Sequence, residues 1–151
     1  GEGSRPVTIN ETQQNAARER LRGVGLRPTR QRVALAELLF GGSDRHVTAE
    51  QLHGEAMARS IKVSLATVYN TLHQFTNVSL LRELVVDPSR SYFDTNTSHH
   101  HHFYFEKDGR LQDLPGHEIA IDSLPETPEG SEVNRVDVIV RLREKTGRPG
   151  R

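Results

Sequence analysis

The sequence predicts an α+β fold in two parts, an N-terminal winged helix-turn-helix and a smaller β-rich module. Three observations carry that prediction. Helix-type patterning fills the chain up to about residue 80, and strand-type alternation follows it. Two turn signals, "DPSR" and Asp108-Gly109, each sit between runs that read as strands. The charge also divides: residues 1–83 carry eleven Lys and Arg against eight Asp and Glu, and residues 84–151 carry nine against twelve. A formal net charge of zero therefore hides a basic half and an acidic half.

The elements follow in order. "ETQQNAARERLRG" is polar, favours helix and ends at glycine. Pro28 biases Arg27 away from helix and makes "GLRPT" a break. "TRQRVALAELLF" resumes the helix, with Val33, Leu35, Leu38 and Leu39 as its buried set. "GGSDRH" stops it. "TAEQLHGEAMARS" opens with Thr48 and Gln51 at capping-box spacing. Ser64 is the expected N-cap of "SLATVYNTLHQF". In that helix Leu65, Val68, Leu72 and Phe75 form one apolar stripe. Ser64, Thr67, Asn70, Thr71 and Gln74 form the opposite face, which is polar and nearly uncharged, and suits base edges in a major groove. Six arginines between Arg18 and Arg32, against the single acid Glu19, suit phosphate contact or an ordinary solvated face.

"LLRELVVD" and "SRSYFDTN" read as a strand pair, the wing. "HHHHFYFEK" and "RLQDL" read as a second hairpin about Asp108-Gly109. The stretch "PGHEIAIDSLPETPEGSE" predicts a short helix at most. "VNRVDVIVRLRE" alternates as a half-buried strand. The expected divisions are a winged-helix domain at 1–84, a hinge at 85–88, a second domain at 89–145 and a mobile tail at 146–151. No apolar run reaches the length that spans a bilayer, and "GEGSRPVTIN" lacks the apolar core of a signal peptide. A cytoplasmic protein is expected.

The chain has no cysteine, which excludes disulfides, thiolate metal sites and a cysteine nucleophile. It has eight histidines, four of them consecutive at 99–102. On a strand, His100 and His102 share one face and His99 and His101 share the other. A two-residue loop at Asp108-Gly109 sets Lys107 opposite Arg110 and Asp113 opposite Tyr104. Asp113 then lies diagonal to His102 on the His100/His102 face. Asp94 ends the preceding strand and is a further carboxylate. Imidazole and carboxylate without thiolate favour Mn(II), Fe(II), Zn(II) or Co(II). His53 and His73 read as surface or partly buried helix residues.

"GLRPTRQRVALAELL", "HVTAEQLH", "SLATVYNTLHQF" and "HHHHFYF", in this order, resemble the ferric uptake regulator superfamily over about residues 16–142. Within it the chain is most similar to the haem-responsive iron response regulators of alphaproteobacteria. The resemblance implies a homodimer with a C-terminal α/β dimerisation domain, whose two recognition helices read double-stranded operator DNA. It implies DNA contacts from Arg27, Ser64, Thr67, Tyr69 and Asn70. Relatives commonly have arginine at the Asn70 position, and arginine and asparagine prefer guanine and adenine respectively. Tyr69 has a second reading as a wing-packing aromatic. The implied regulatory metal site is His46, Asp94, His100, His102 and Asp113, with the ion setting the angle between domains. A second metal or haem site would use His99, His101 and His117 or Glu118. Its last family histidine has no clear match, since Val136 stands near that position. Phe105 and Asp108 occupy positions of the family's missing zinc cysteines. The function implied is a regulator, chiefly a repressor, of iron-metabolism genes that binds DNA when iron or haem is low. A manganese- or peroxide-responsive regulator is the alternative. A metallohydrolase is the remaining one, without a supporting nucleophile or general-base motif.

Overall fold

The computed structural model describes residues 9–146. The described residues form two compact units that divide between Thr97 and Ser98. Residues 147–151 of the expected tail lie outside the described residues.

The first unit runs α1 (Ile9–Gly23), α2 (Arg30–Phe40), β1 (His46–Val47), α3 (Ala49–Ala58), α4 (Leu65–Asn77), β2 (Arg82–Asp87) and β3 (Arg90–Asp94). The last three helices each begin at a side-chain cap, at the expected Thr48 and Ser64 and also at Thr29. Thr29, Thr48 and Ser64 accept the backbone N–H of Arg32, Gln51 and Thr67. The core gathers Leu21, Leu35, Leu39, Leu52, Val68, Leu72, Phe75 and Phe93, all 0–1% exposed. Val33, Leu35, Leu38 and Leu39 are buried as expected. Two positions of α4 differ from the helical-wheel reading. Leu65 is exposed, because its stripe runs out at the first turn. Thr71 is buried beside Leu72, because the core covers more than one stripe of this helix.

Three helices end in the same way. Leu26 N–H reaches Leu21 O, Ile61 N–H reaches Ala56 O and Leu80 N–H reaches Phe75 O, each at 2.9 Å. These are Schellman caps, and each returns an apolar side chain, Leu26, Ile61 or Leu80, to the core. The cap needs one left-handed residue. Gly25 supplies it after α1 (φ 79°), but Ser60 (φ 58°) and Ser79 (φ 63°) supply it after α3 and α4.

β2 and β3 form the wing hairpin, and β1 adds to the other side of β3, giving the order β1-β3-β2. Residues 85–88, expected as a hinge, instead belong to this hairpin. Asp87 pairs with Arg90, and Asp87 Oδ1 accepts the N–H of Ser89 across the turn. The division therefore falls between Thr97 and Ser98. The pairing of β3 with β1 keeps the whole wing in the first unit. Strand β1, two residues long, has no periodicity that a sequence could display.

The second unit contains β4 (His100–Phe105), β5 (Arg110–Pro115), a 3-10 turn (Gly116–Glu118) and β6 (Ile139–Leu142). The 3-10 turn is its only helical element among the described residues. β4 is central: β5 pairs with it antiparallel and β6 parallel. The hairpin loop is longer than the Asp108-Gly109 signal suggested. Phe105 pairs with Arg110, and Gly109 (φ 70°) donates back to Phe105 O at 2.9 Å. Asp113 is consequently opposite His102, not Tyr104. The shift is two residues along the strand, so every side chain keeps its face.

Replacing Ser79 by glycine relieves the left-handed strain while leaving the cap bonds in place. Ser79→Gly is expected to stabilise the first unit by about 1 kcal/mol, read as a higher urea midpoint. A lower midpoint would contradict this account of the α4 terminus.

Candidate functional site

Each unit carries a His and carboxylate cluster built on paired strands. In the first unit, β1 sets His46 opposite Asp94. His46 Nε2 is 3.2 Å from Asp94 Oδ2, and the carboxylate is almost fully buried. Its other oxygen, Oδ1, accepts the N–H of Asn96 at 2.9 Å. That bond orients the carboxylate so that Oδ2 faces the imidazole.

In the second unit, alternation along β4 places His100 and His102 together, with ring centres 4.6 Å apart. Asp113 lies opposite His102 and diagonal to His100. Its Oδ1 is 3.4 Å from His100 Nε2 and 3.5 Å from His102 Nε2. The imidazoles are buried, while the Asp113 side chain is 40% exposed. His100 Nδ1 lies 2.6 Å from the carbonyl of Ser98. A ring nitrogen at a carbonyl must donate, so Nε2 is the lone-pair nitrogen of the neutral ring. That lone pair points toward a carboxylate oxygen, also an acceptor. Two facing acceptors call for a cation between them. Donor atoms about 2.1 Å from a common ion lie roughly 3.0–3.5 Å from one another. The spacing of this trio fits a metal on that measure. The Nδ1 bond to a backbone carbonyl is the usual support of a metal-binding imidazole. The donor set lacks sulfur and suits Mn(II), Fe(II) or Zn(II).

The opposite face of β4 is arranged differently. His99 is exposed and His101 is buried, with ring centres 5.1 Å apart. Val138 N–H donates to His101 Nδ1 at 3.1 Å. In the neutral ring this puts the proton on Nε2, so His101 serves the β4–β6 pair as a backbone acceptor. His117 and Glu118 are exposed on the 3-10 turn. Among the described residues, no third His, Asp or Glu gathers with His99 and His101 into a ligand group. The ring of His99 lies over Gly116, where a Cβ would approach it to 2.3 Å. Gly116 is thus required for that packing.

The expected DNA-facing residues lie on α4 and the loop before α2. Ser64 Oγ accepts the Thr67 N–H at 3.1 Å and donates to Thr67 Oγ1 at 2.9 Å. Asn70 is exposed on the same helix, and Arg27 is exposed before Pro28. Arg32 holds Gln74 through two hydrogen bonds, at 3.2 and 3.1 Å, and so ties α2 to α4. Tyr69 is 37% exposed, and its hydroxyl donates to Glu50 Oε1 at 2.7 Å. Its ring also stacks on His73, whose edge meets Phe93 of the wing. Glu50 was not among the residues singled out by sequence. A lone glutamate in the first turn of a helix carries no signal beyond helix-end electrostatics.

Fold and clusters together define a winged-helix protein with strand-borne His and carboxylate groups. The chain belongs to the Ferric uptake regulator family, whose family model matches residues 23–141. The family is one of regulators. The chain is 37% identical over 94 residues to a peroxide-responsive repressor of Staphylococcus epidermidis, a match covering 62% of each protein. It is 36% identical over 94 residues to the corresponding repressor of Staphylococcus aureus, covering 63% of that protein. The aligned region thus spans less than two thirds of these curated relatives. Among solved structures it is similar to the ferric uptake regulator of Pseudomonas aeruginosa with manganese. There the TM-score is 0.66 at 25% identity, covering 85% of this chain and 98% of that one. The iron-containing regulator of Francisella tularensis shares the fold, with a TM-score of 0.64 at 21% identity over 80% of this chain and 93% of that one. Among the described residues, no helix is long and apolar enough to cross a membrane.

The role of His101 is open to a direct check. His101→Leu removes the acceptor of the Val138 N–H and is expected to cost about 1–3 kcal/mol, seen as a lower urea midpoint. The number of Zn(II) ions taken up per chain should stay the same. Loss of one ion in that variant would show that His101 ligates metal.

Proposed function

We propose that this chain is a metal-responsive transcriptional regulator that binds double-stranded operator DNA as a homodimer. The observation that carries the reading is the His100, His102 and Asp113 trio, whose acceptor atoms converge at metal-ligand spacing. The winged helix and the membership of a regulator family support the DNA-binding half. Ser64, Thr67, Tyr69 and Asn70 on α4 are the proposed base-contacting residues, with Arg27 reaching the backbone or minor groove.

The resemblance further implies a single ion held jointly by His46, Asp94, His100, His102 and Asp113. Bound metal supplies a positive charge that replaces repulsion among these acceptors with attraction. The protein's own part is to hold the imidazole tautomers and carboxylates in place through Ser98 O and the Asn96 N–H.

For the physiological signal we retain control of iron-metabolism genes, with repression under low iron or haem, as the resemblance to iron response regulators implies. Haem would need an imidazole reachable from solvent, and His99 and His117 are the exposed candidates. A second reading is response to peroxide or manganese. Two carboxylates, Asp94 and Asp113, favour it, as do the names of the Staphylococcus relatives.

Metal-stripped protein should take up Mn(II) with one ion per chain if both clusters serve one site. Uptake of two ions per chain would separate the clusters. His102→Ala and His46→Ala are expected to weaken Mn(II) binding at least about tenfold, the loss usual when one coordinating group goes. Both should also abolish metal-dependent shifts of a promoter fragment from an iron-metabolism gene. Unchanged metal and DNA affinity in both variants would sink the proposal. Addition of haem separates the finer readings: loss of the shifted band together with a Soret absorbance that depends on His99 favours the haem response. Loss of the band when the Fe(II) form meets hydrogen peroxide, with an oxygen added to a histidine by mass spectrometry, favours the peroxide response.

A further inference from the structure

Tyr69 is fixed at two points, and only one of them lies on its own helix. On α4 its ring stacks on His73 at 6.5 Å between centres, with the planes 18° apart. His73 in turn sets its edge on Phe93, a fully buried core residue, at 5.5 Å. At the far end of the ring the hydroxyl donates to Glu50 Oε1 at 2.7 Å, across from α4 to the first turn of α3. Glu50 is exposed and Tyr69 is 37% exposed. An exposed tyrosine ordinarily satisfies its hydroxyl with water, and an exposed carboxylate ordinarily stays solvated. A short charge-assisted bond between them therefore replaces water at both groups and restricts both side chains. The bond holds the Glu50 carboxyl below its usual range, aided by Glu50's own backbone N–H, and holds the Tyr69 phenol above its usual range.

We infer that Glu50 is a positioning residue for sequence reading, which sets the direction in which Tyr69 meets a base. The inference rests on the DNA-binding reading above. With its proton committed to Glu50, Tyr69 offers a base its ring carbons and its oxygen lone pairs, but not its O–H. Without Glu50 the hydroxyl is released to donate elsewhere, and the ring loses the anchor at its far end while keeping the His73 stack. Glu50 itself carries a negative charge near a face proposed to approach phosphates. A glutamate there opposes binding unless it acts through another group. That conflict makes the inference testable, because repulsion and positioning predict opposite effects.

The experiment uses the full chain with Mn(II). The probes are a duplex enriched by the wild-type protein from a random-sequence library and a duplex of scrambled sequence. Glu50→Ala and Tyr69→Phe are each expected to weaken binding of the enriched duplex about threefold to tenfold, the range of one hydrogen bond. Neither should weaken binding of the scrambled one. The double variant should be no weaker than Tyr69→Phe alone, since both remove the same interaction. Glu50→Gln keeps an oxygen acceptor without the charge and should bind like wild type. Circular dichroism melts confirm that each variant is folded. Equal or tighter binding of both duplexes by Glu50→Ala overturns the inference in favour of simple repulsion. Losses that multiply in the double variant overturn it too, as does Glu50→Gln behaving like Glu50→Ala. If the wild-type protein enriches no sequence, the DNA-binding reading falls and takes this inference with it. Enrichment without coupling sinks the inference alone.

Discussion

Strand β4 is pinned from both sides, and the candidate metal chemistry depends on that constraint. Four adjacent imidazoles have no intrinsic order, because any one of them can face either way until the strand is held. The antiparallel ladder to β5 and the parallel ladder to β6 remove that freedom. Alternation then sends His100 and His102 to Asp113, and His101 to the Val138 N–H. A slip of one residue would exchange the two sets and put the wrong imidazoles beside the carboxylate. The His101 bond guards against that slip, since it ties a side chain of β4 to the backbone of the β6 side. One histidine thus helps to hold the register in which two others face the carboxylate.

In the first unit the corresponding constraint is the ending of helices. Schellman caps after α1, α3 and α4 each turn the chain and deliver one apolar residue to the core. The cap after α4 directs the chain into β2, and the wing then returns through β3 to set Asp94 opposite His46. Serine at two of the three left-handed positions shows that packing of Ile61 and Leu80 outweighs a modest local strain. The polar links Arg32–Gln74 and Glu50–Tyr69 then fix α4 against its neighbours from outside the core. A helix held by apolar contacts on one side and by directed polar contacts on the other presents its remaining side chains at defined angles.

The structure also separates two uses of histidine that look identical in sequence. His100 directs Nδ1 to a backbone carbonyl and leaves Nε2 as its lone-pair nitrogen, whereas His101 uses Nδ1 as an acceptor. Chemical type and spacing are the same in both. Only the partner of one ring nitrogen distinguishes a ligand-ready imidazole from a structural one.

Much of this was written in local pattern. The helices, their Thr48 and Ser64 caps, the wing, and the parity that joins His100, His102 and Asp113 all follow from residue type and period. The hairpin loop was misread by two residues, yet the ligand face survived, because strand parity is unchanged by an even shift. Other features were not legible. Strand β1 exists only because β3 pairs with it, and β6 runs parallel to β4 after a connection whose turns, such as that at Pro128–Ser131, do not name the partner strand. The burial of Thr71, the exposure of Leu65 and the commitment of His101 depend on neighbours remote in the chain. The Glu50–Tyr69 bond likewise joins residues on different helices, and neither residue type announces the other. Sequence by itself determined which groups share a face, since that is set by backbone geometry within one element. Tertiary structure alone decided which faces meet, because pairing depends on how separate elements pack and on which backbone groups remain to be satisfied.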